Sequence, residues 1–290
     1  MEIGIGLPAA IPGVAGTVIG EWARRAESAG FSTLAAVDRV AYPSFEPLTT
    51  LAAAAIVTER IRLTTSVLLA PLRANTALLA KQAATVDQLS SGRLVLGLAI
   101  GARPDDFAVS GIGMAGRGAM LERQIAVMRS IWAGTAPTGV GPRPARADGP
   151  RVILGGHAPA ALARAARCAD GWIGGSGGPS AFGPAAADVA AKWRAAGRAG
   201  RPRLLALAYF ALGPDADGIA GSYLRDYYAS AGPFVEHVVR GAAVSAAGLK
   251  AMGDQYAQAG CDELILMPCG ASLDQVDRLH EAVALAGAPG

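Results

Sequence analysis

Two short glycine runs, Gly155-Gly156-His157 and Gly174-Gly175-Ser176, each stand a few residues ahead of an alanine-rich stretch with helical periodicity. Glycines leave backbone amides unshielded. Consecutive amides before a helix bind phosphate oxygens through hydrogen bonds and the positive end of the helix dipole. His157 and Ser176 add side-chain donors. A tight turn accounts for either run alone, but recurrence at two neighbouring strand ends favours a phosphorylated ligand. Three more segments place polar or small groups where β-type runs end. Asp38 and Arg39 suit a hydrogen bond to substrate or coenzyme and a contact to an anionic substrate; the alternatives are a loop cap and a rim charge. Thr65 and Ser66 close "LTTSV" with two hydroxyls beside Val67. Gly101, before Ala102, either lets a ligand approach the backbone or serves a turn.

A dinucleotide fingerprint is not among these patterns. "GLAIGARPDDF" spaces Gly97 and Gly101 as G-x-x-x-G, then runs into Pro104, Asp105 and Asp106, with no helix expected before Arg117. The two aspartates read as solvated loop charges. Three histidines (His157, His237, His280) contain no HxxxH pair, and three cysteines (Cys168, Cys261, Cys269) contain no CxxC. A metal site and a disulfide framework are therefore not expected, and a reducing cytoplasm suits the thiols, which read as small buried apolar residues. His237 and His280 read as helix-surface positions. Tyr223, Tyr227 and Tyr228 form a packing face on one helix, from which one ring can reach a pocket.

The elements that must position these residues alternate. Strand-like runs cover 2–7, 33–37, 61–67, 93–99, 151–156, 171–175, 203–212 and 262–268. Helical stretches follow each: 17–31 with Gly30 as C-cap, 47–60 with Pro47 at its start, 75–92, 117–132, 159–169, 185–199, a long region 219–258 interrupted at Gly232-Pro233, and 273–286. Eight strand–helix units with no strand beside strand predict a parallel sheet, and their even spacing favours a closed (β/α)8 TIM barrel over a doubly wound sheet. The whole chain, 1–290, reads as one α/β domain. The Pro/Gly-rich stretch 134–150 is not a linker, because units on both sides are needed to complete eight. In such a barrel the glycine runs, Asp38, Ser66 and Gly101 all fall at C-terminal strand ends, where barrel enzymes place their sites.

Composition narrows the partners. The 290 residues are 52% apolar and 17% charged, with 26 Lys+Arg against 23 Asp+Glu. No basic tract interleaves with aromatics, so nucleic acid is not expected. Charge breaks every apolar run before the roughly 18 residues that a membrane-spanning helix needs, and "MEIGIGLPAAIPG" reads as a strand without a basic leader.

The segment "PLTTLAAAAIVTERIRLTTSVLLAPLRANTALLAKQAATVDQLSSGRLVLGLAIG" resembles the third- and fourth-strand region of the luciferase-like monooxygenase family. "ILGGHAPAALARAARCADGWI" is similar to that family's phosphate-loop region, and "AGCDELILMP" with "LDQVDRL" to its last strand and helix. The resemblance implies a bacterial-luciferase-like barrel that binds flavin or the deazaflavin coenzyme F-420. It implies a cis peptide at Ser66-Val67 supporting the tricyclic ring, Gly101 and Ala102 bordering it, and Gly155, Gly156, Gly174, Gly175 and Ser176 holding the coenzyme phosphate. Asp38 matches an aspartate of the deazaflavin branch. Arg39 departs from the histidine common there, and Ala102 from a glutamate, which argues against sugar-phosphate dehydrogenation. The stretch 134–150 lacks the aromatic residues of the family's substrate cover, so the mouth is either open or capped by another part such as "YLRDYYASAGPF". The favoured expectation is hydride transfer between coenzyme F-420 and a small organic substrate. The alternatives are oxygenation with reduced FMN, and a cofactor-binding barrel without turnover. A homodimer is expected, as is a flavin or F-420 reductase acting in trans.

Overall fold

In the computed structural model, which describes residues 1–136 and 139–287, the strands close into a cylinder because the first and last staves of the open order meet. The strands are β1 (Glu2–Gly6), β2 (Thr33–Ala36), β3 (Arg62–Thr65), β4 (Leu68–Leu69), β5 (Leu94–Ala99), β6 (Arg151–Gly155), β7 (Gly171–Gly174), β8 (Arg203–Phe210) and β9 (Glu263–Pro268). Their order is β3-β2-β1-β9-β8-β7-β6-β5-β4, with β3 also pairing β5. Every pairing is parallel. β3 and β4 are two parts of one stave: β3 pairs the start of β5 (Leu63 with Leu94), and β4 pairs its end (Leu68 with Leu98). The cis peptide Ser66–Val67 lies between them. Eight staves with helices between them make the (β/α)8 barrel that the alternation predicts.

Staves buried on both faces read as unbroken apolar runs, and "ELILMP" of β9 is buried at all six positions. One face packs on the helices through residues such as Trp22, Leu51, Leu79 and Leu264. The other fills the barrel interior with Ala35, Ile153, Leu205, Leu207, Ile265 and Met267. That inner cluster continues past the strand ends onto Leu224, Tyr227 and Val238, so side chains beyond the strands close the upper end of the barrel.

The helices start and stop where their caps dictate. α1 (Gly16–Ser28) ends before Gly30 at φ +80°. α2 (Pro47–Ile56) begins at Pro47, and the Glu46 carboxylate accepts from the Thr49 amide. α3 (Thr76–Leu89) is capped by Asn75. Two expectations need correction. A short helix α4 (Pro104–Val109) precedes α5 (Arg117–Trp132), because Pro104 sits at its first position and Asp105 and Asp106 suit its positive end. After α6 (Pro159–Cys168), α7 runs Pro179–Ala195 and so begins before Ala185. Pro184 lies inside it, and the true start is Pro179 immediately after the second glycine run. The long helical region divides into α8 (Ala216–Tyr227), α9 (Phe234–Arg240) and α10 (Ala246–Gln258), the last capped by Ser245, before α11 (Asp274–Gly287). Within the stretch 134–150, residues 137 and 138 lie outside the described residues, as do 288–290. No described helix is long and apolar enough to cross a membrane.

Candidate active site

The C-terminal strand ends converge on a floor made by one bulge. Val67 packs over two glycines of the neighbouring staves: an added Cβ at Gly155 would stand 3.4 Å from its Cγ1, and one at Gly97 3.3 Å. These glycines therefore make the space that lets Val67 turn into the barrel. Beside it, the Ser66 hydroxyl is buried and has no hydrogen-bond partner among the described residues. A buried donor without a partner costs free energy unless a ligand or water completes it. Thr65 does not share that role: it is fully buried and its hydroxyl donates to the Gly97 carbonyl at 2.7 Å.

Asp38 ties down the segment that follows the bulge. Its carboxylate accepts from the Leu69 amide at 2.7 Å and from both Nη atoms of Arg73 at 2.6 and 3.1 Å. Burial pushes this carboxyl above its ordinary range, and the Arg73 guanidinium opposes the shift. Arg39 is equally committed. Its side chain is 5% exposed and pairs with Asp106 (2.9 Å) and Asp105 (2.7 Å). Asp106 corrects the expectation of a solvated loop charge: it is fully buried and its Oδ1 accepts from the Val40 and Ala41 amides. Asp38 and Arg39 thus stand at the site, but their charges are engaged by the protein and join the loops after β2, β3 and β5.

The two glycine runs sit side by side, since β6 pairs β7. They are fastened together by Trp172, whose indole donates to the Gly156 carbonyl at 2.9 Å and meets His157 edge-on. The Gly175 amide donates to His157 Nε2 at 3.2 Å. That nitrogen is therefore an acceptor, and any donation by His157 falls to Nδ1. Burial lowers the imidazole pKa, which favours the neutral ring this bond requires. Gly156 has φ +122° and Gly101 φ +74°, both backbone states that disfavour other residues. Gly174 is required by packing, because a Cβ would meet Phe182 and Trp172. Neither α6 nor α7 has a side-chain cap at its N-terminus. A depression of about 680 Å³ between them is lined by His157, Gly175, Ser176 and Ala181.

The mouth is covered, and the cover comes from "YLRDYYASAGPF". Tyr228, just after α8, places its hydroxyl 3.0 Å from Ser176 Oγ and 2.9 Å from the Tyr209 hydroxyl. Tyr42, from the loop after β2, donates to Asp226. From the loop after β5, the Arg103 guanidinium lies over Tyr227 and Tyr228 (4.8 and 5.1 Å) and donates to the Tyr227 carbonyl. It has no carboxylate partner among the described residues. Burial, with its tyrosine neighbours, pushes the Tyr209 phenol far above its usual range, so it remains protonated. Sequence reading passed over Arg73 and Arg103. Their only signal was position, each following a segment already singled out.

The model of the luciferase-like monooxygenase family matches residues 1–287. The chain belongs to that family. A putative coenzyme F-420-dependent oxidoreductase of Mycobacterium tuberculosis is 30% identical over 191 residues, covering 58% of this chain and 52% of that protein. Across the curated relatives, the matched segment spans between 52% and 65% of their own length. Among solved structures, an F-420-dependent secondary alcohol dehydrogenase in complex with an F-420–acetone adduct superposes with a TM-score of 0.83 at 17% identity, covering 99% of this chain and 100% of that one. The oxygenating constituent of 3,6-diketocamphane monooxygenase from Pseudomonas putida, in complex with FMN, gives 0.73 at 18% identity, covering 98% and 96%. At these identities the structural matches speak to the fold, which is the barrel of this family.

Proposed function

We propose that this luciferase-like barrel is an oxidoreductase that binds coenzyme F-420 and transfers a hydride between it and a small organic substrate. The observation that carries this reading is the partnerless buried Ser66 hydroxyl beside Val67, at a mouth where Asp38 and Arg39 are both held in ion pairs. When bound, the deazaflavin supplies hydride chemistry at ring carbon C5, so the protein's work is orientation and exclusion of water. Val67 would support the ring, and the free Ser66 hydroxyl would be available to hydrogen-bond it. Gly101 and Ala102 flank it from the loop after β5. Gly155, Gly156, Gly174, Gly175 and Ser176 line the phosphate position, with Arg103 the nearby cation lacking a carboxylate. The putative F-420-dependent relative supports this choice of cofactor. The α8 tyrosines exclude water and offer an aromatic wall to the substrate. That roof also removes one objection to the second reading, oxygenation with reduced FMN and a separate flavin reductase, because a covered mouth shields oxygen chemistry from water.

Ser176→Asp and Arg103→Gln test the phosphate position. Either change removes or repels a charge-assisted contact worth about 1.5–3 kcal/mol, so coenzyme F-420 should bind at least about tenfold more weakly in a fluorescence-quench titration. Unchanged affinity in both variants would move the phosphate elsewhere and overturn the assignment of the glycine runs.

A further inference from the structure

The opposite end of the barrel is built for charge as well. At the N-terminal strand ends a cavity of about 240 Å³ is lined by Arg62, Arg93, Arg146, Arg151, Arg203 and Glu263, above a floor that includes Val95, Ile153 and Leu205. Five arginines and one carboxylate line it. Arg93 is a strut, donating to the carbonyls of Ala55, Thr58, Ile61 and Ser90. Arg62 and Arg203 reach Glu263 at 3.0 and 2.8 Å, and both also pair with Glu2. Those pairs use only Nη2 of each residue. Among the described residues, Nη1 of Arg62 and both Nε and Nη1 of Arg203 have no acceptor within the protein. Arg146 and Arg151, both exposed, form no ion pair among the described residues. Counting Glu2 with Glu263, the four arginines other than the Arg93 strut meet two carboxylates around one concavity.

We propose that this lower mouth is an anion site for a phosphate dianion, either free or as the monoester end of a small metabolite. Planar guanidinium forks pair bidentately with tetrahedral oxyanions, and an apolar floor raises the strength of each charge–charge contact. Glu263 acts as the keel: burial pushes its carboxyl up, but donors from Ser32 and Thr33 and the charge of Arg62 and Arg203 outweigh this and keep it ionised. It thus fixes two of the forks with their remaining donors free. The site is separate from the coenzyme cradle, which lies at the other end of the same strands.

Isothermal calorimetry tests this on the intact protein, with inorganic phosphate and, separately, glycerol 3-phosphate titrated at an ionic strength held constant with chloride. Saturable binding at one site is expected, weakened at least about tenfold by the double variant R146Q/R151Q, whose exposed positions leave the fold intact. The same double variant should bind coenzyme F-420 as the unaltered protein does. Ser176→Asp, at the other end, should leave phosphate binding unchanged. Tighter binding of the monoester would identify the esterified source, and equal binding the free ion. The proposal is overturned if neither ligand gives saturable heat, if R146Q/R151Q binds as well as the original, or if Ser176→Asp alone abolishes the binding.

Discussion

Gly97→Ala is expected to prevent the barrel from closing, yielding insoluble protein or a loss above about 4 kcal/mol in urea denaturation. An added Cβ would be driven into the carbonyl oxygen of Thr65, a backbone atom that cannot rotate away. β3 and β5 pair only through Leu63–Leu94 and Thr64–Val95, immediately below that contact. Separating them would also break the Thr65 hydroxyl bond to the Gly97 carbonyl and displace Val67 from its place over Gly97. One methyl group would therefore damage both the closure of the barrel and the floor of the site. Gly20→Ala provides the control. Gly20 lies inside α1, where a Cβ would approach nothing nearer than Arg24 at 3.9 Å, so the helix should gain up to about 1 kcal/mol. Wild-type stability of Gly97→Ala would refute the packing described for the bulge.

Arg73→Met is the second large effect, and its size depends on pH. Arg73 is 18% exposed and Asp38 1% exposed at their side chains, so the change leaves a buried carboxylate without its cation. Removing one partner of such a pair costs about 3–5 kcal/mol. Burial already raises the Asp38 carboxyl above its ordinary value, and Arg73 is the main influence holding it down. Without Arg73 the folded-state pKa moves further up. A raised folded-state value means that ionisation disfavours the fold, with full stability present below the unfolded pKa of about 3.9 and lost as pH rises through the folded value. The deficit of Arg73→Met should thus be largest at neutral and alkaline pH and shrink on acidification, as Asp38 takes up a proton. Urea denaturation at pH 8 and pH 5 measures this, and an equal deficit at both would contradict an uncompensated Asp38 charge. Coenzyme binding should weaken alongside, because Asp38 also fixes the Leu69 amide next to the bulge.

The alternation of apolar runs was enough to predict all eight staves, because strands buried on both faces leave an unbroken signature that no partner residue needs to explain. Pro47 and Gly30 announced helix ends for equally local reasons. α7 starts at Pro179, ahead of the helical stretch 185–199 that the pattern predicts, and carries Pro184 inside it. α4 carries its own signals, a proline at its first position and two aspartates in its first turn, but its six residues are too few for a helical period to show. The site was legible as a set of residue types but not as a set of partners. Ser66, Val67 and the glycine runs were singled out from the sequence, and the structure places them around one mouth. That Asp38 meets Arg73, or that Asp106 binds the Val40 and Ala41 amides, depends on contacts 35 to 66 residues apart along the chain, for which no periodicity exists. The same holds for the roof: the sequence leaves "YLRDYYASAGPF" as one of two options, and the Tyr228 contacts with Ser176 and Tyr209 place it there.

The most direct test of the account is a fluorescence-quench titration of the purified apoprotein with coenzyme F-420 and, in parallel, with FMN. The account predicts saturable micromolar or tighter binding of the deazaflavin, with FMN binding at least about tenfold more weakly. Tight binding of FMN alone would contradict it and direct the chemistry to oxygenation, while binding of neither would leave Ser66, Val67 and the glycine runs as parts of a barrel that holds no such coenzyme.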